Sequence, residues 1–339
     1  VHEALFYERQ GGNQVRCHLC RFRCLIQDGA RGHCQVRENR SGTLYSLTYG
    51  QLCALAIDPI EKKPLFHVMP GSTSFSLAAP GCNFRCRHCQ NAAISQAGAG
   101  MTVRGVEVSP AEVVERALAA GCPSLSYTYT EPTVFYEFAQ DTARLAHQAG
   151  LRNIFVSNGY ITPEALGAIA PWLDAANIDL KGFSETFYRN IVQARLSEVL
   201  DSLIEYRRLG IWLEVTTLLI PGLNDADAEL EGLASFITSH LGADTPWHVS
   251  QFHPTYLLTD RPRTPLATLR RAREIGLAAG LHYVYEGNAQ GEGGEDTHCP
   301  RCQALLIKRL GFTIVSNRLQ QGGCPDCGAA IAGIALSAQ

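Results

Sequence analysis

Ser74-Phe75-Ser76-Leu77-Ala78-Ala79 followed by Pro80-Gly81-Cys82-Asn83-Phe84-Arg85-Cys86-Arg87-His88-Cys89-Gln90-Asn91 is the stretch on which the fold turns. A short β-rich run enters a Pro-Gly turn and then a loop with three cysteines spaced C-x3-C-x2-C. Three clustered thiolates can hold three irons of a cubane and leave the fourth iron without a protein ligand. An open coordination position is what a catalytic metal site needs, whereas structural sites are closed. The competing reading is zinc, its fourth ligand supplied by His88 or by a distant cysteine.

Working outward, β-rich runs recur at 124–129, 153–158, 175–180, 213–220, 248–252 and 282–286. Amphipathic helical patterns lie between them at 110–121, 132–150 and 226–242, several closing on glycine. Pro110, Pro132 and Pro163 suit a first helical turn. Alternating strands and helices predict a parallel sheet with crossover helices. With no G-x-G-x-x-G, the pattern favours an α/β fold built as a full or partial (β/α) TIM-like barrel. Chemistry in such barrels sits at the C-terminal ends of the strands. Cys82, Glu131, Asn158, Asp179, Lys181, Asn224, His253 and Asn288 all fall there. Tyr127, Tyr129, His253 and Tyr285 are candidates to face the barrel mouth.

Three segments are expected: a Cys-rich stretch at 1–73, the barrel at 74–290, and a linker with a small Cys-rich module at 291–339. Gly291-Glu292-Gly293-Gly294-Glu295-Asp296 reads as a flexible linker.

The composition is that of a globular chain: 46% hydrophobic, 18% charged, formal net charge −3 over 339 residues. No global basic excess points to nucleic acid, no run approaches a membrane span, and the start lacks a signal-peptide pattern. Arg9, Arg16, Arg21, Arg23, Arg31, Arg37 and Arg40 make the start locally basic, which reads as a solvated face. Of 13 cysteines, eleven fall into three clusters, leaving Cys53 and Cys122 as buried free thiols. Clustered C-x2-C spacings without an export signal indicate metal ligation in a cytoplasmic protein rather than disulfides.

Cys299-Pro-Arg-Cys302 and Cys324-Pro-Asp-Cys327 are two knuckles 21 residues apart, the pattern of a four-thiolate zinc ribbon or a rubredoxin-like iron site. A structural metal would fold a piece this small. Cys17, Cys20, Cys24 and Cys34 offer four more ligands within 18 residues, with His18 and His33 as substitutes. Zinc and an auxiliary iron–sulfur cluster both suit that set, with zinc preferred.

The C-x3-C-x2-C loop after the first barrel strand resembles the signature of the radical S-adenosylmethionine (SAM) superfamily. The resemblance implies a [4Fe–4S] cluster on Cys82, Cys86 and Cys89, with SAM bound through its amino and carboxylate groups at the unique iron. It implies reductive cleavage of SAM to a 5′-deoxyadenosyl radical that abstracts hydrogen from a substrate. Thr130-Glu131-Pro132 stands where the superfamily has Gly-Gly-Glu-Pro, whose backbone and glutamate meet the SAM amino group; Tyr129 and Thr130 replace the two glycines. His88 stands where an aromatic residue lies against the adenine. Ser157-Asn158-Gly159, Asp179-Leu180-Lys181 and Pro221-Gly222-Leu223-Asn224-Asp225 resemble segments of the glycyl-radical activating enzymes, in which the second lines the SAM carboxylate and ribose.

CHLCRFRC (17–24), RGHCQVRENR (31–40), AIDPIEKKPLFHVMPGS (56–72), YTYTEPT (127–133), NIDLKGF (177–183), SQFHPTY (250–256) and the terminal knuckles together resemble the radical SAM enzymes of the AmmeMemoRadiSam system. That resemblance implies Memo-like and AMMECR-like proteins as partners, besides a protein electron donor. Two other functions fit parts of the sequence: an activase for a glycyl-radical enzyme, and a non-catalytic zinc adaptor for RNA or protein.

Overall fold

A computed structural model describes residues 1–96, 105–289 and 293–337. The chain forms two compact units, one of residues 1–58, 73–175 and 198–211, the other of 59–72, 176–197 and 212–339.

In the first unit the strands Arg152–Ser157, Ser124–Tyr127 and Thr73–Ala78 lie side by side in that order, followed by Ala54–Pro59. The first three are parallel, Ser124 standing opposite both Arg152 and Ser74. Every residue of Ser124–Tyr127 is buried, as expected of a parallel strand covered on both faces. The crossover helix Pro110–Ala119 starts with a capping box between Ser109 and Glu112. The next helix begins as a 3-10 turn, Pro132–Phe135, before the α-helix Tyr136–Gln148. The tight turn has a local cause, because the Glu131 side chain takes the Thr133 N–H. Pro163 opens Pro163–Ile169 behind a Thr162 cap.

The N-terminal segment of this unit carries two small antiparallel sheets. One joins His2–Glu3, Thr43–Ser46 and Arg37–Arg40; the other joins Tyr7–Arg9, Val15–Cys17 and Leu25–Ile26. The basic start is not simply a solvated face. Arg37 is 1% exposed and ion-paired with the buried Glu137. Arg21 donates to the Ile161 carbonyl, Glu198 and Ser202. These guanidiniums are spent on anchoring the segment.

In the second unit Ala175–Asp179, Trp212–Leu219, Trp247–Gln251 and Val284–Gly287 follow one another in order. The last three are parallel, Val215 opposite Trp247 and Trp247 opposite Val284. Asp227–Phe236 and Leu266–Ala278 are helices of this unit. The alternation of parallel strands and helices is the α/β architecture expected of a partial barrel. Tyr127, fully buried, donates to Asn153, and Tyr285, 2% exposed, meets His67 and Thr297. Both are core residues, not mouth residues; His253 is exposed.

The C-terminal sheet joins Thr297–His298, Leu305–Leu310 and Thr313–Asn317 antiparallel. It does not fold on its own contacts alone. Leu306, Ile307 and Ile331 share one buried cluster with Phe66, Tyr283 and Tyr285. The buried Arg309 donates to the Phe66 carbonyl at 2.9 Å and stacks over the Phe66 ring. The described part of the expected flexible linker, 293–296, is packed: a Cβ on Gly294 would lie 2.6 Å from Glu286 Cδ, and Glu286 N–H donates to the Gly294 carbonyl. Glycine there permits close approach rather than freedom. Gly291 and Glu292 lie outside the described residues. Among the described residues no helix is long and apolar enough to cross a membrane.

Candidate active site

The cysteine loop leaves the Thr73–Ala78 strand at Gly81, whose φ is +104° and whose Cβ, if it had one, would meet Val36 Cγ1 at 2.8 Å. Only glycine satisfies both conditions. Cys86 closes a turn by accepting the Cys89 N–H on its carbonyl, and Cys89 Sγ lies 3.0 Å from Ser95 Oγ. Cys82 Sγ accepts the Phe84 N–H at 3.3 Å.

Behind the loop is a buried polar group. Glu131 Oε1 accepts from Thr133 N–H (3.0 Å), Thr133 O–H (2.6 Å) and Ser157 O–H (2.8 Å), and Oε2 accepts from Asn158 N–H (2.9 Å). One oxygen is saturated and the other keeps accepting capacity. Burial first, against these four donors, raises the carboxyl above its usual range. Asn158 Nδ2 donates to Asn83 Oδ1 at 2.7 Å and stands 3.6 Å from Cys82 Sγ. Burial, then the Glu131 charge and the neighbouring thiols, push the Cys82 thiol well up. Thr133, Ser157 and Asn158 all come from elements whose strand ends converge here, as barrel chemistry requires.

Of the two residues standing where the superfamily pattern has glycines, Tyr129 takes a backbone conformation that favours glycine. Tyr129 has φ +62°, a left-handed conformation that glycine takes without strain. Its ring hydroxyl donates to Asp58, and Thr130 O–H donates to the Ala79 carbonyl at 2.7 Å, which pins the turn. His88 is 4% exposed, so it is not a surface histidine.

Asp179 and Lys181 belong to the second unit, where Lys181 Nζ pairs with Asp179 Oδ2 at 2.9 Å. Asn224 braces the same segment, donating to the Lys181 carbonyl at 2.7 Å and the Leu218 carbonyl at 2.9 Å while accepting the Ile220 N–H. The Pro-Gly-x-Asn-Asp turn therefore positions the backbone at Lys181.

The terminal knuckles converge. The Sγ atoms of Cys299, Cys302, Cys324 and Cys327 all lie within 4.8 Å of one another. Gln303 and Gly328, both at positive φ, return their N–H groups to the carbonyls of Cys299 and Cys324. Two matched turns thus aim four thiols at one point, a donor set suited to a tetrahedral ion. Cys17, Cys20, Cys24 and Cys34 line a single cavity in the first unit. Cys122 is buried as expected, and Cys53 is half-buried with its thiol toward the Ala78 carbonyl.

Several site residues escaped the sequence reading. Asn83 is fully buried and its Nδ2 has no hydrogen-bond partner among the described residues. Its position inside a ligand loop was the available signal, since an amide there has no solvent to serve. Arg85 donates to the carbonyls of Cys82 (2.8 Å) and Phe84 (3.0 Å) and to that of His33. Nothing in the spacing announces that contact.

Residues 77–234 match the model of the radical SAM superfamily. An uncharacterised protein of Methanocaldococcus jannaschii is 48% identical over 97% of this chain and 98% of its own length. A protein of the same organism named as a candidate glycyl-radical enzyme activating enzyme is 26% identical over 61% of this chain and 78% of its own. Among solved structures, SuiB of Streptococcus suis bound to SAM superposes with a TM-score of 0.51 at 13% identity, covering 68% of this chain and 53% of that one. A radical SAM methyltransferase of Sphaerobacter thermophilus gives 0.50 at 18% identity, covering 65% and 68%. The parallel α/β fold, the three-cysteine loop after its strand and the family match agree: the chain belongs to the radical SAM superfamily.

Proposed function

We propose that the chain is a radical SAM enzyme in which Cys82, Cys86 and Cys89 hold a [4Fe–4S] cluster. When bound, that cluster supplies the electron that cleaves SAM to a 5′-deoxyadenosyl radical, which abstracts hydrogen from a substrate. The observation that carries this reading is the buried group at Cys82: Asn158 Nδ2 beside the thiol, the Glu131 carboxylate one hydrogen bond behind, and an Asn83 Nδ2 with no partner among the described residues. An orphaned donor and a carboxylate oxygen with accepting capacity fit a ligand bearing both a carboxylate and an ammonium group, which SAM does. Glu131 would receive the ammonium, helped by the backbone at Thr130, and His88 would lie toward the adenine. The resemblance assigns Asp179 and Lys181 to the SAM carboxylate and ribose.

The test is anaerobic. The reconstituted, reduced chain is given SAM, and 5′-deoxyadenosine is quantified beside a Cys86→Ala control. Product well above the control supports the reading; equal amounts would sink it.

A second reading, activation of a glycyl-radical enzyme, is favoured by the 26% identical relative so named. It requires a glycyl radical signal on a partner chain. The AmmeMemoRadiSam resemblance makes Memo-like and AMMECR-like proteins the partners to examine, with a low-potential protein as electron donor. We assign zinc to the four terminal cysteines, because their close approach suits one tetrahedral ion. A colourless protein carrying only zinc would instead favour the adaptor. A cytoplasmic site of action is supported by the clustering of eleven of the thirteen cysteines in spacings that suit metal ligation rather than disulfides.

A further inference from the structure

We propose that Cys17, Cys20, Cys24 and Cys34 hold a second iron–sulfur cluster, reversing the preference for zinc drawn from their spacing.

The chain contains its own ruler. Four thiolates around one zinc, each bonded at ~2.3 Å, stand about 3.8 Å apart. The terminal cysteines meet that condition: Cys299 and Cys327 Sγ are 3.6 Å apart, as are Cys302 and Cys324, and all four lie within 4.8 Å. Among the described residues no other set of three or more metal-ligating side chains gathers so closely. The N-terminal four nevertheless line one cavity, together with Arg37 and His33. Thiolates that surround a centre without closing to single-ion distances suit a polynuclear core, whose cysteine ligands sit one Fe–S bond outside its corners.

The lining carries a second observation. Arg37 is buried on this cavity, and its Nη1 donates to Cys17 Sγ at 3.3 Å. His33 lines it too, with a buried Nε2 that has no hydrogen-bond partner, and the Arg37 Nε is likewise unpartnered. Donors aimed at sulfur stabilise and tune iron–sulfur clusters. A closed four-thiolate zinc site leaves this imidazole nitrogen, on a ring stacked against Phe22, with nothing to serve.

The cavity also adjoins the SAM-cleaving loop. Thr133 lines it while donating twice to Glu131 Oε1. Arg85 joins the His33 carbonyl to the Cys82 carbonyl. Val36 abuts Gly81. A cluster on the N-terminal cysteines would therefore be a near neighbour of the catalytic one, separated by these shared residues.

The experiment uses the full chain carrying Cys82→Ala, Cys86→Ala and Cys89→Ala, reconstituted anaerobically with iron and sulfide and then desalted. Acid-labile sulfide is counted because a rubredoxin-like iron at the terminal knuckles contributes none. The expected result is about two to four sulfides per chain with visible charge-transfer absorption, lost on adding Cys20→Ser and Cys34→Ser. Background sulfide with about two zinc ions per chain would overturn the proposal. If the triple variant does not fold, Cys20→Ser with Cys34→Ser in the otherwise native chain should lower sulfide by about two to four, and an unchanged count would overturn it. Because the first arm lacks the catalytic loop ligands, its outcome is independent of whether the chain cleaves SAM.

Discussion

Asn158 and Asn83 are joined side chain to side chain, Nδ2 to Oδ1 at 2.7 Å, directly beside the Cys82 sulfur. The bond ties the end of one core strand to the inside of the cysteine loop. Asn158→Ala removes the tie and leaves the Asn83 carbonyl buried without its donor. A buried polar group left unsatisfied costs about 1–3 kcal/mol, and if that loss falls on the productive geometry it corresponds to roughly tenfold or more in rate. We expect 5′-deoxyadenosine formation to fall by that factor while iron content is unchanged. Equal activity with equal iron would remove Asn158 from the site.

Glu131 is surrounded by donors: two from Thr133, one from Ser157 and one from Asn158. A glutamine presents an NH2 group to one of them. Glu131→Gln should therefore lower unfolding free energy by about 1–3 kcal/mol, read by denaturant titration, and weaken SAM binding as well. A variant as stable as the native chain would mean that the carboxylate is not held as described.

His67 provides a pH signature. Burial pushes it down from 6.5 to about 4, with its Nε2 against the Tyr285 hydroxyl and its Nδ1 against the Ala332 carbonyl. The folded chain keeps this imidazole neutral where the unfolded chain protonates it. Between those two values the unfolded state binds the extra proton, so this contribution to stability is present above the window and lost as pH falls through it. Denaturant titrations across that range should show a steeper loss for the native chain than for His67→Gln; parallel curves would contradict the assignment.

Cys302 is the exposed member of the terminal four. With zinc on these four cysteines as proposed, Cys302→Ser should release it to a chromogenic chelator much faster than the native chain does. Its unfolding midpoint should also fall, since a structural zinc contributes folding energy directly. Retention of zinc at native rate and stability would point to a different ligand set.

Gly81 is the test of the loop's seat. Gly81→Ala places a Cβ 2.8 Å from Val36 Cγ1 on a backbone at φ +104°. The loop must shift, and reconstitution should yield fewer irons per chain. Native iron content would show that the loop tolerates displacement.

Much of this was legible in the sequence because the signals are local. The β-rich runs, the prolines at helix starts and the cysteine spacings act within a few residues, and strands and knuckles appear where those signals stand. What was not legible depends on residues far apart. Nothing in the pattern around Arg37 reveals that Glu137, a hundred positions on, takes it out of solvent. Tyr129 shows no mark of its left-handed backbone, which is held by Asp58 and by Thr130 bonding the Ala79 carbonyl. Gly294 looks like a linker residue because glycine serves both freedom and close packing, and only the position of Glu286 distinguishes them.

The burial of Phe66, Tyr283 and Tyr285, the last on the strand Val284–Gly287, in one cluster with the terminal sheet has a physiological corollary. Rings of that size contribute about 1.5–3 kcal/mol each when buried, and here the burial is completed by the module whose four cysteines we propose to hold a metal. Starvation for that metal would strip the cover from a strand of the catalytic fold itself. Such a chain would not linger as an enzyme lacking an accessory; it would expose aromatic surface and become a target for proteolysis. Its abundance in the cell would then follow metal supply.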